Sequence, residues 1–233
     1  MISTRGYADG TVAKTVEAAS ASEHPPLSLK YHRRPYLAAK RAVDIGGSAA
    51  AIVVLFPILF VVSLAIVLTE GFPIVFKQKR VGKDGREFYI YKFRTMVKNA
   101  EEILRSRPDL MEEYERTYKI TNDPRISKLG RVLRKTSLDE LPQLLNVLFG
   151  EMSLVGPRPI VPKELEKYGD MAWAYLLMKP GCAGLWQCSG RSDISYDERV
   201  HLDITYYNRA GLRYDSWIIV RTVLDILRCR GAN

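Results

Sequence analysis

"IGGSAAAIVVLFPILFVVSLAIVLT", Ile45 to Thr69, is the stretch on which the fold turns, and it carries no charged residue. At about 1.5 Å of rise per residue, a straight helix of this length crosses a bilayer core of roughly 30 Å, so one reading is a single transmembrane span. Two features favour another reading. Pro57 sits at the middle of the run, where proline removes a helical hydrogen bond and favours a kink or a break. Both flanks are basic, with Lys30, Arg33, Arg34, Lys40 and Arg41 before the run and Lys77, Lys79, Arg80, Lys83, Arg86, Lys92 and Arg94 after it. Basic flanks belong on the cytoplasmic side, and a single span satisfies that preference at one end only. A re-entrant helix hairpin that dips into the bilayer, turns at a membrane bend at Pro57 and returns satisfies it at both. The backbone groups freed near the bend must then find partners in protein, water or headgroups. That reading places the body of the chain in the cytosol.

Working outward, residues 1–29 are rich in Ala, Ser, Thr and Gly without an apolar run, and read as a flexible tail rather than a signal peptide. Residues 30–73 form the basic flank and the membrane helix, and 74–233 the cytosolic domain. Ile74 to Phe76 and Phe88 to Tyr91 are strand-like around an Asp84-Gly85 turn signal, which predicts a β-hairpin. Val97 to Ile120 is helical in pattern and interrupted at Pro108, Asn122 to Arg125 is a turn, and helix resumes from about Ser127 to Leu133 and again up to Phe149. "PKELEKYGDMAWAYLLM" predicts short helices with interfacial aromatics, Trp173 and Tyr175, and "KPGCAGLWQCSGR" a glycine-punctuated loop. "YDERVHLDITYYNRA" starts a further helix. The last stretch is amphipathic, with Arg221, Asp225 and Arg228 on one face and Trp217, Val220, Val223, Leu224 and Leu227 towards the other. The expected class is α+β, mostly α, a monotopic membrane protein with a small β-hairpin and amphipathic interfacial helices.

The chain has 233 residues and a formal net charge of +9, which suits an anionic partner. Because the positive charge clusters around an apolar anchor, lipid headgroups or a phosphorylated substrate fit better than nucleic acid. Cys182, Cys188 and Cys229 are an odd count without C-x-x-C spacing, which argues against a disulfide framework or a zinc site. His24, His32 and His201 are scattered.

The chemistry concentrates in "TSLDELPQLLNVLFGEMSLVGPRP", Thr136 to Pro159, where Asp139 and Glu140 stand side by side at a helix start. One reading is structural: Ser137 to Glu140 fits a capping box, or Asp139 is itself the N-cap with Pro142 in the first turn. The other is catalytic. A helix N-terminus favours anions, but two carboxylates repel a phosphate unless a cation bridges them. Mg²⁺ on the pair resolves this and leaves one carboxylate free to attack phosphorus. Arg94, Arg125, Arg134, Arg158 and Arg191 each lie in or beside a turn or element boundary, where a guanidinium grips phosphate oxygens bidentately. Arg158 is held between Pro157 and Pro159, which restrict its backbone. Lys92 and Arg94 leave the hairpin at the headgroup level.

These residues resemble the bacterial sugar transferases that are monotopic polyprenyl-phosphate glycosyl-1-phosphate transferases. The matching blocks are "KRAVD" (Lys40 to Asp44), "KFRTM" (Lys92 to Met96), Asn122 to Pro159, "KPGCAGLWQCSGR" (Lys179 to Arg191) and "YDERVHLDITYY" (Tyr196 to Tyr207). They occur in order and cover the chain from Lys40 onward. The resemblance implies that hexose 1-phosphate passes from a UDP-sugar to undecaprenyl phosphate with release of UMP and with Mg²⁺, on the cytosolic face of the bacterial inner membrane. It implies Asp139 as nucleophile, Glu140 as its partner for metal and geometry, and Arg134 and Arg158 as phosphate contacts. Lys92, Arg94, Arg125, Pro157, Pro159, Gln187, Arg191 and Asp203 fall in the matching blocks as further phosphate or substrate contacts. Longer members carry an additional N-terminal multi-helix region that is not expected here, which points to the short exopolysaccharide-type members, with galactose or glucose favoured. Ala183 and Cys188 stand where the family pattern leads us to expect threonine and an aliphatic residue. The expected partners are the UDP-sugar, undecaprenyl phosphate and membrane lipids, and a homodimer is compatible with the sequence. The alternative from another class is a non-catalytic membrane-surface scaffold for glycan assembly.

Overall fold

Helix α1 runs from Arg34–Glu70, 37 residues, with Pro57 inside it. It belongs to a computed structural model that describes residues 31, 33–117, 120, 122–189 and 195–227. The expected tail at 1–29, and with it Lys30, lies outside the described residues, as do Arg191 and Arg228. Of a kink and a break at Pro57, the structure shows no break: the helical pattern runs unbroken through the proline. A proline costs the helix one N–H donor, and the long aliphatic runs on either side keep the remaining hydrogen bonds in register. Ser48, Ser63 and Thr69 each donate to the carbonyl four residues back, a bond that tends to bend a helix.

Both ends of α1 dock on one body. Near its start, Lys40 Nζ lies 2.9 Å from Asp215 Oδ2, buried on both sides. Arg41 donates to the Val147 and Leu148 carbonyls at 2.6 and 2.9 Å. Asp44 accepts from Ser153 Oγ at 3.0 Å and from the Leu154 N–H at 2.8 Å. Near its end, Val62 and Ile66 pack against Phe93 and Leu133, with Leu138 beside them, and Arg94 donates to the Gly71 carbonyl at 2.7 Å. The middle is bare: Val53 and Val54 are each 74% exposed and Phe56 62%.

Strands β1 (Val75–Val81) and β2 (Glu87–Phe93) form the expected antiparallel hairpin, with register from Val75 opposite Phe93 to Val81 opposite Glu87. The turn between them puts Asp84 at φ 56° and Gly85 at φ 74°. Two helices follow, α2 (Ala100–Arg105) and α3 (Pro108–Thr117), then α4 (Lys128–Lys135). A single 3₁₀ turn at Leu138–Glu140 leads to α5 (Gln143–Phe149). Strand β3 (Ser153–Val155) pairs in parallel with β4 (Gly181–Ala183), Ser153 opposite Gly181 and Val155 opposite Ala183. Between them lie a 3₁₀ segment, Pro162–Met171, and α6 (Ala172–Leu176). One turn of helix, α7 (Leu185–Cys188), precedes α8 (Tyr196–Arg209) and α9 (Leu212–Leu227).

The Lys179 to Arg191 stretch, expected as loop, thus contains a strand and a helical turn. Its glycines are needed because β3 and β4 meet backbone to backbone: a Cβ on Gly181 would run into the backbone of Gly156. A second correction concerns the aromatics. Trp173 and Tyr175 are 7% and 0% exposed and lie in the core rather than at an interface. Tyr175 is held there because its hydroxyl donates to the Val81 carbonyl at 2.7 Å and accepts from the Ile160 N–H at 3.3 Å, which removes the cost of burying it. On α9, Asp215, Ile218 and Thr222 face the body, while Trp217, Val220 and Val223 are exposed.

Candidate active site

The dyad turn is aimed by its neighbours on both sides. Ser127 caps α4, its hydroxyl accepting from the Gly130 N–H at 2.9 Å. Gly130 presses on the Thr95 carbonyl so closely that a Cβ there would collide with it, and Arg134 donates from Nε to Thr95 Oγ1 at 3.0 Å. The chain then reverses at Ser137, whose φ of 57° places it in the left-handed region, and neither Ser137 nor Pro142 makes a side-chain cap. The capping readings of Ser137 to Glu140 are therefore overturned: with Ser137 left-handed, the acids occupy the 3₁₀ turn itself, ahead of the helix. Beyond them, Asn146 locks α5 to β2, accepting from the Tyr91 N–H at 3.1 Å and donating to the Tyr89 carbonyl at 2.7 Å. That bond sets the height of Lys92 beside the turn.

The two carboxylates have different surroundings. Glu140 accepts from Lys92 Nζ at 2.6 Å, with its side chain 39% exposed. Burial works against its charge, but Lys92, Arg158 and Gln143 outweigh it and hold the carboxyl below the usual range. Asp139 is 7% exposed and has no ion pair among the described residues. Burial, with the adjacent Glu140 charge adding to it, raises its carboxyl to about 6 against the pull of Lys92 and Arg134. Such a separation of two neighbouring acids is how a site assigns them different tasks. Leu138, immediately before the pair, packs on the Val62, Ile66 and Phe93 cluster, so the dyad stands next to α1.

Arg158 acts on Glu140 through its charge, from a loop fixed at the backbone of its neighbours. Pro157 O accepts from the Gly181 N–H at 2.8 Å, Pro159 O from Arg80 Nη1 at 3.1 Å, and the Ile160 carbonyl from the Val81 N–H at 2.9 Å. Its guanidinium sits over the Trp186 ring, Cζ 5.2 Å from the centroid, and its charge is felt by Glu140.

The structure thus brings together Lys92, Arg134, Asp139, Glu140 and Arg158. Other expected contacts bond to groups outside the dyad. Arg125 is buried in an ion pair with Asp123 at 2.7 Å, under the Tyr114 ring. Arg94 is turned to Gly71, with Nε and Nη1 buried and unpartnered. Gln187 donates to the Cys182 carbonyl. Asp203 is 2% exposed and accepts from the Tyr168 hydroxyl at 2.7 Å, and burial lifts its carboxyl to about 7 against the influence of Tyr168 and Arg199. Trp186 and Arg199 were not singled out in the sequence, where one carried no signal beyond a glycine-rich stretch and the other read as one helical charge among several.

No group of three or more His, Cys, Asp or Glu side chains gathers among the described residues. The donor set of Asp139 and Glu140 nevertheless fits Mg²⁺, which binds through one or two carboxylates and takes its remaining ligands from water and substrate phosphates.

The family model for "Bacterial sugar transferase" matches residues 35–229. The chain is 45% identical over 209 residues to a UDP-galactose-lipid carrier transferase of Erwinia amylovora, covering 88% of this chain and 43% of the relative. It is 46% identical over 197 residues to an undecaprenyl-phosphate galactose phosphotransferase of Salmonella typhimurium, covering 83% and 41%. It is 42% identical over 198 residues to the exopolysaccharide production protein ExoY of Rhizobium meliloti, covering 83% and 88%. The chain spans a little over two fifths of the length of the first two and most of the third. A match that takes in α1, the hairpin, the dyad turn and the Pro-Arg-Pro loop together leaves one assignment: the chain belongs to the bacterial sugar transferase family.

Proposed function

We propose that this protein transfers a hexose 1-phosphate, galactose or glucose, from a UDP-sugar to undecaprenyl phosphate, as a membrane step of exopolysaccharide synthesis. The observation that carries the reading is the inequality of the dyad: a buried Asp139 without an ion pair among the described residues, beside a Glu140 held by Lys92, next to the long apolar α1 and within the field of Arg134 and Arg158. The names of the relatives support the donor and acceptor classes. In the first displacement an Asp139 carboxylate oxygen bonds to the β-phosphorus, the bond from that phosphorus to the bridging oxygen breaks, and UMP leaves with the electron pair. In the second, a phosphate oxygen of the acceptor bonds to the same phosphorus and the aspartyl–phosphorus bond breaks, regenerating the carboxylate. Lys92 keeps Glu140 oriented, and Arg134 and Arg158 grip phosphate oxygens as charge moves onto them. Glu140 with Asp139 would hold Mg²⁺, which would supply neutralisation of the diphosphate. The test is UMP release in membranes supplied with undecaprenyl phosphate, across UDP-glucose, UDP-galactose and UDP-N-acetylhexosamine. Release with one of the two hexose donors is expected, and silence across the whole panel sinks the reading.

A monotopic, re-entrant seating in the membrane belongs to the same proposal. It is supported by the buried polar ties at both ends of α1, Lys40 to Asp215 and Arg94 to the Gly71 carbonyl. A helix spanning the bilayer would put those ends on opposite sides of roughly 30 Å of hydrocarbon, and one body cannot bond to both. The bare apolar middle of α1 and the exposed Trp217, Val220 and Val223 of α9 offer lipid-facing surface. Single cysteines placed at Arg33 and at Lys98 are expected to react with a membrane-impermeant maleimide from the cytosolic side alike. Labelling from opposite sides overturns the re-entrant seating and leaves the chemistry of the dyad untouched.

A further inference from the structure

Trp186 lies on the one-turn helix after β4, and two guanidinium groups sit against its ring, Arg158 at 5.2 Å and Arg199 at 5.0 Å from the centroid. Arg199 reaches it from α8, where it also lies over the Tyr196 ring at 5.5 Å. Neither arginine makes an ion pair among the described residues. The nearby acids are shared with other partners: Glu164 accepts from the Val161 N–H, faces Arg80 and offsets part of the burial of Arg199, and Asp203 accepts from Tyr168 while feeling the charge of Arg199. Arg199 Nε is buried without a hydrogen-bond partner among the described residues. Burial first, and then the charge of Arg158, depresses the guanidinium of both Arg199 and Arg80. Two like charges are therefore gathered on one indole, with a third close by, at the edge of a carboxylate dyad. Repulsion of this kind persists only where something offsets it, and an indole face offsets part of it. A dianion placed between the two forks would offset the rest.

We infer that Trp186 is a positioning residue that aligns Arg158 and Arg199 as a two-armed seat for the diphosphate of the nucleotide-sugar donor. The inference rests on the proposed transferase reading and adds to it a second guanidinium, from α8, and the ring that aims both. Cation–π contacts of partly buried guanidinium groups set the expected scale, several-fold to about thirtyfold in affinity when the ring is removed.

The probe is UDP, bound to the full chain in nanodiscs in the presence of Mg²⁺, together with steady-state UMP release. Trp186→Ala is expected to weaken UDP binding and raise the donor KM by about tenfold, with kcat changed by less than about threefold. Trp186→Phe keeps a ring and is expected to recover most of that loss. Arg199→Gln is expected to weaken UDP binding by a similar factor, and the double variant by much less than the product, because ring and arginine act together. Should Trp186→Ala fail to fold by thermal unfolding, Arg199→Gln with the tryptophan intact carries the test. UDP affinity unchanged in Arg199→Gln, or a loss in Trp186→Phe equal to that in Trp186→Ala, overturns the inference while leaving the transferase reading in place. A wild-type protein that neither binds UDP nor releases UMP overturns both.

Discussion

Asp139→Asn is expected to lose UMP release by about 10⁴-fold or more, the scale on which removal of a covalent nucleophile acts, and to lose with it any protein-bound label from a donor labelled in the sugar. Asparagine keeps the shape of the side chain and removes only the attacking oxygen anion, so a folding defect is not the expected cause. The pH behaviour sharpens the prediction. With its carboxyl raised from 3.8 to about 6 by burial and by Glu140, Asp139 is largely protonated below that value and cannot attack. Exchange of labelled UMP into UDP-sugar without acceptor, which reports the first displacement alone, should fall as pH drops through about 6, and at lower pH when Mg²⁺ shares the site. The same shift has a consequence for stability. A carboxyl raised in the folded state contributes stability fully present below its unfolded value and lost as pH rises through the folded one. Above pH 6 the ionised Asp139 is therefore a burden on the fold, and Asp139→Asn should be at least as heat-stable as wild type at pH 8. An asparagine variant that still retains sugar-derived label on the protein would falsify the nucleophile assignment.

The parts of this site that could be read in the sequence are those whose chemistry is local. Asp139 and Glu140 are adjacent, Pro157 and Pro159 flank Arg158, and the hairpin is bracketed by alternating strands and an Asp84-Gly85 turn. The conformation of the dyad could not be read, because "SLDE" is as good a capping sequence as any, and what excludes capping is the left-handed backbone of Ser137. Nor could the burial of Tyr175 or the pairing of β3 with β4, each decided by contacts across the fold rather than by periodicity. Three-residue strands leave too short a pattern to detect. Arg199 and Trp186 are brought together from segments that no spacing rule connects. Pro57 removes one helical donor without ending the helix, since α1 continues on both sides of it.

Arg158→Ala is expected to cut kcat/KM by about 10²–10³-fold, the range observed when a single donor to developing charge is removed. The structure makes this a clean substitution. The loop around Arg158 is fastened through backbone groups, the Pro157 carbonyl to Gly181, the Pro159 carbonyl to Arg80 and the Ile160 carbonyl to Val81, and none of these bonds uses the Arg158 side chain. Its removal therefore leaves the frame standing and takes away one guanidinium whose charge helps to hold the Glu140 carboxyl down. Two subsidiary effects point the same way. Glu140 loses part of the positive field that keeps it ionised, which should move its titration upward, and Arg199 loses a repelling neighbour, which should ease its own. Arg158→Lys retains the charge without the planar fork and should fall between the two, closer to alanine if two phosphate oxygens are gripped at once. A near-normal rate in Arg158→Ala, with unchanged thermal unfolding, would return this arginine to the ranks of solvated surface charges and leave the Lys92, Arg134 and dyad group to act alone.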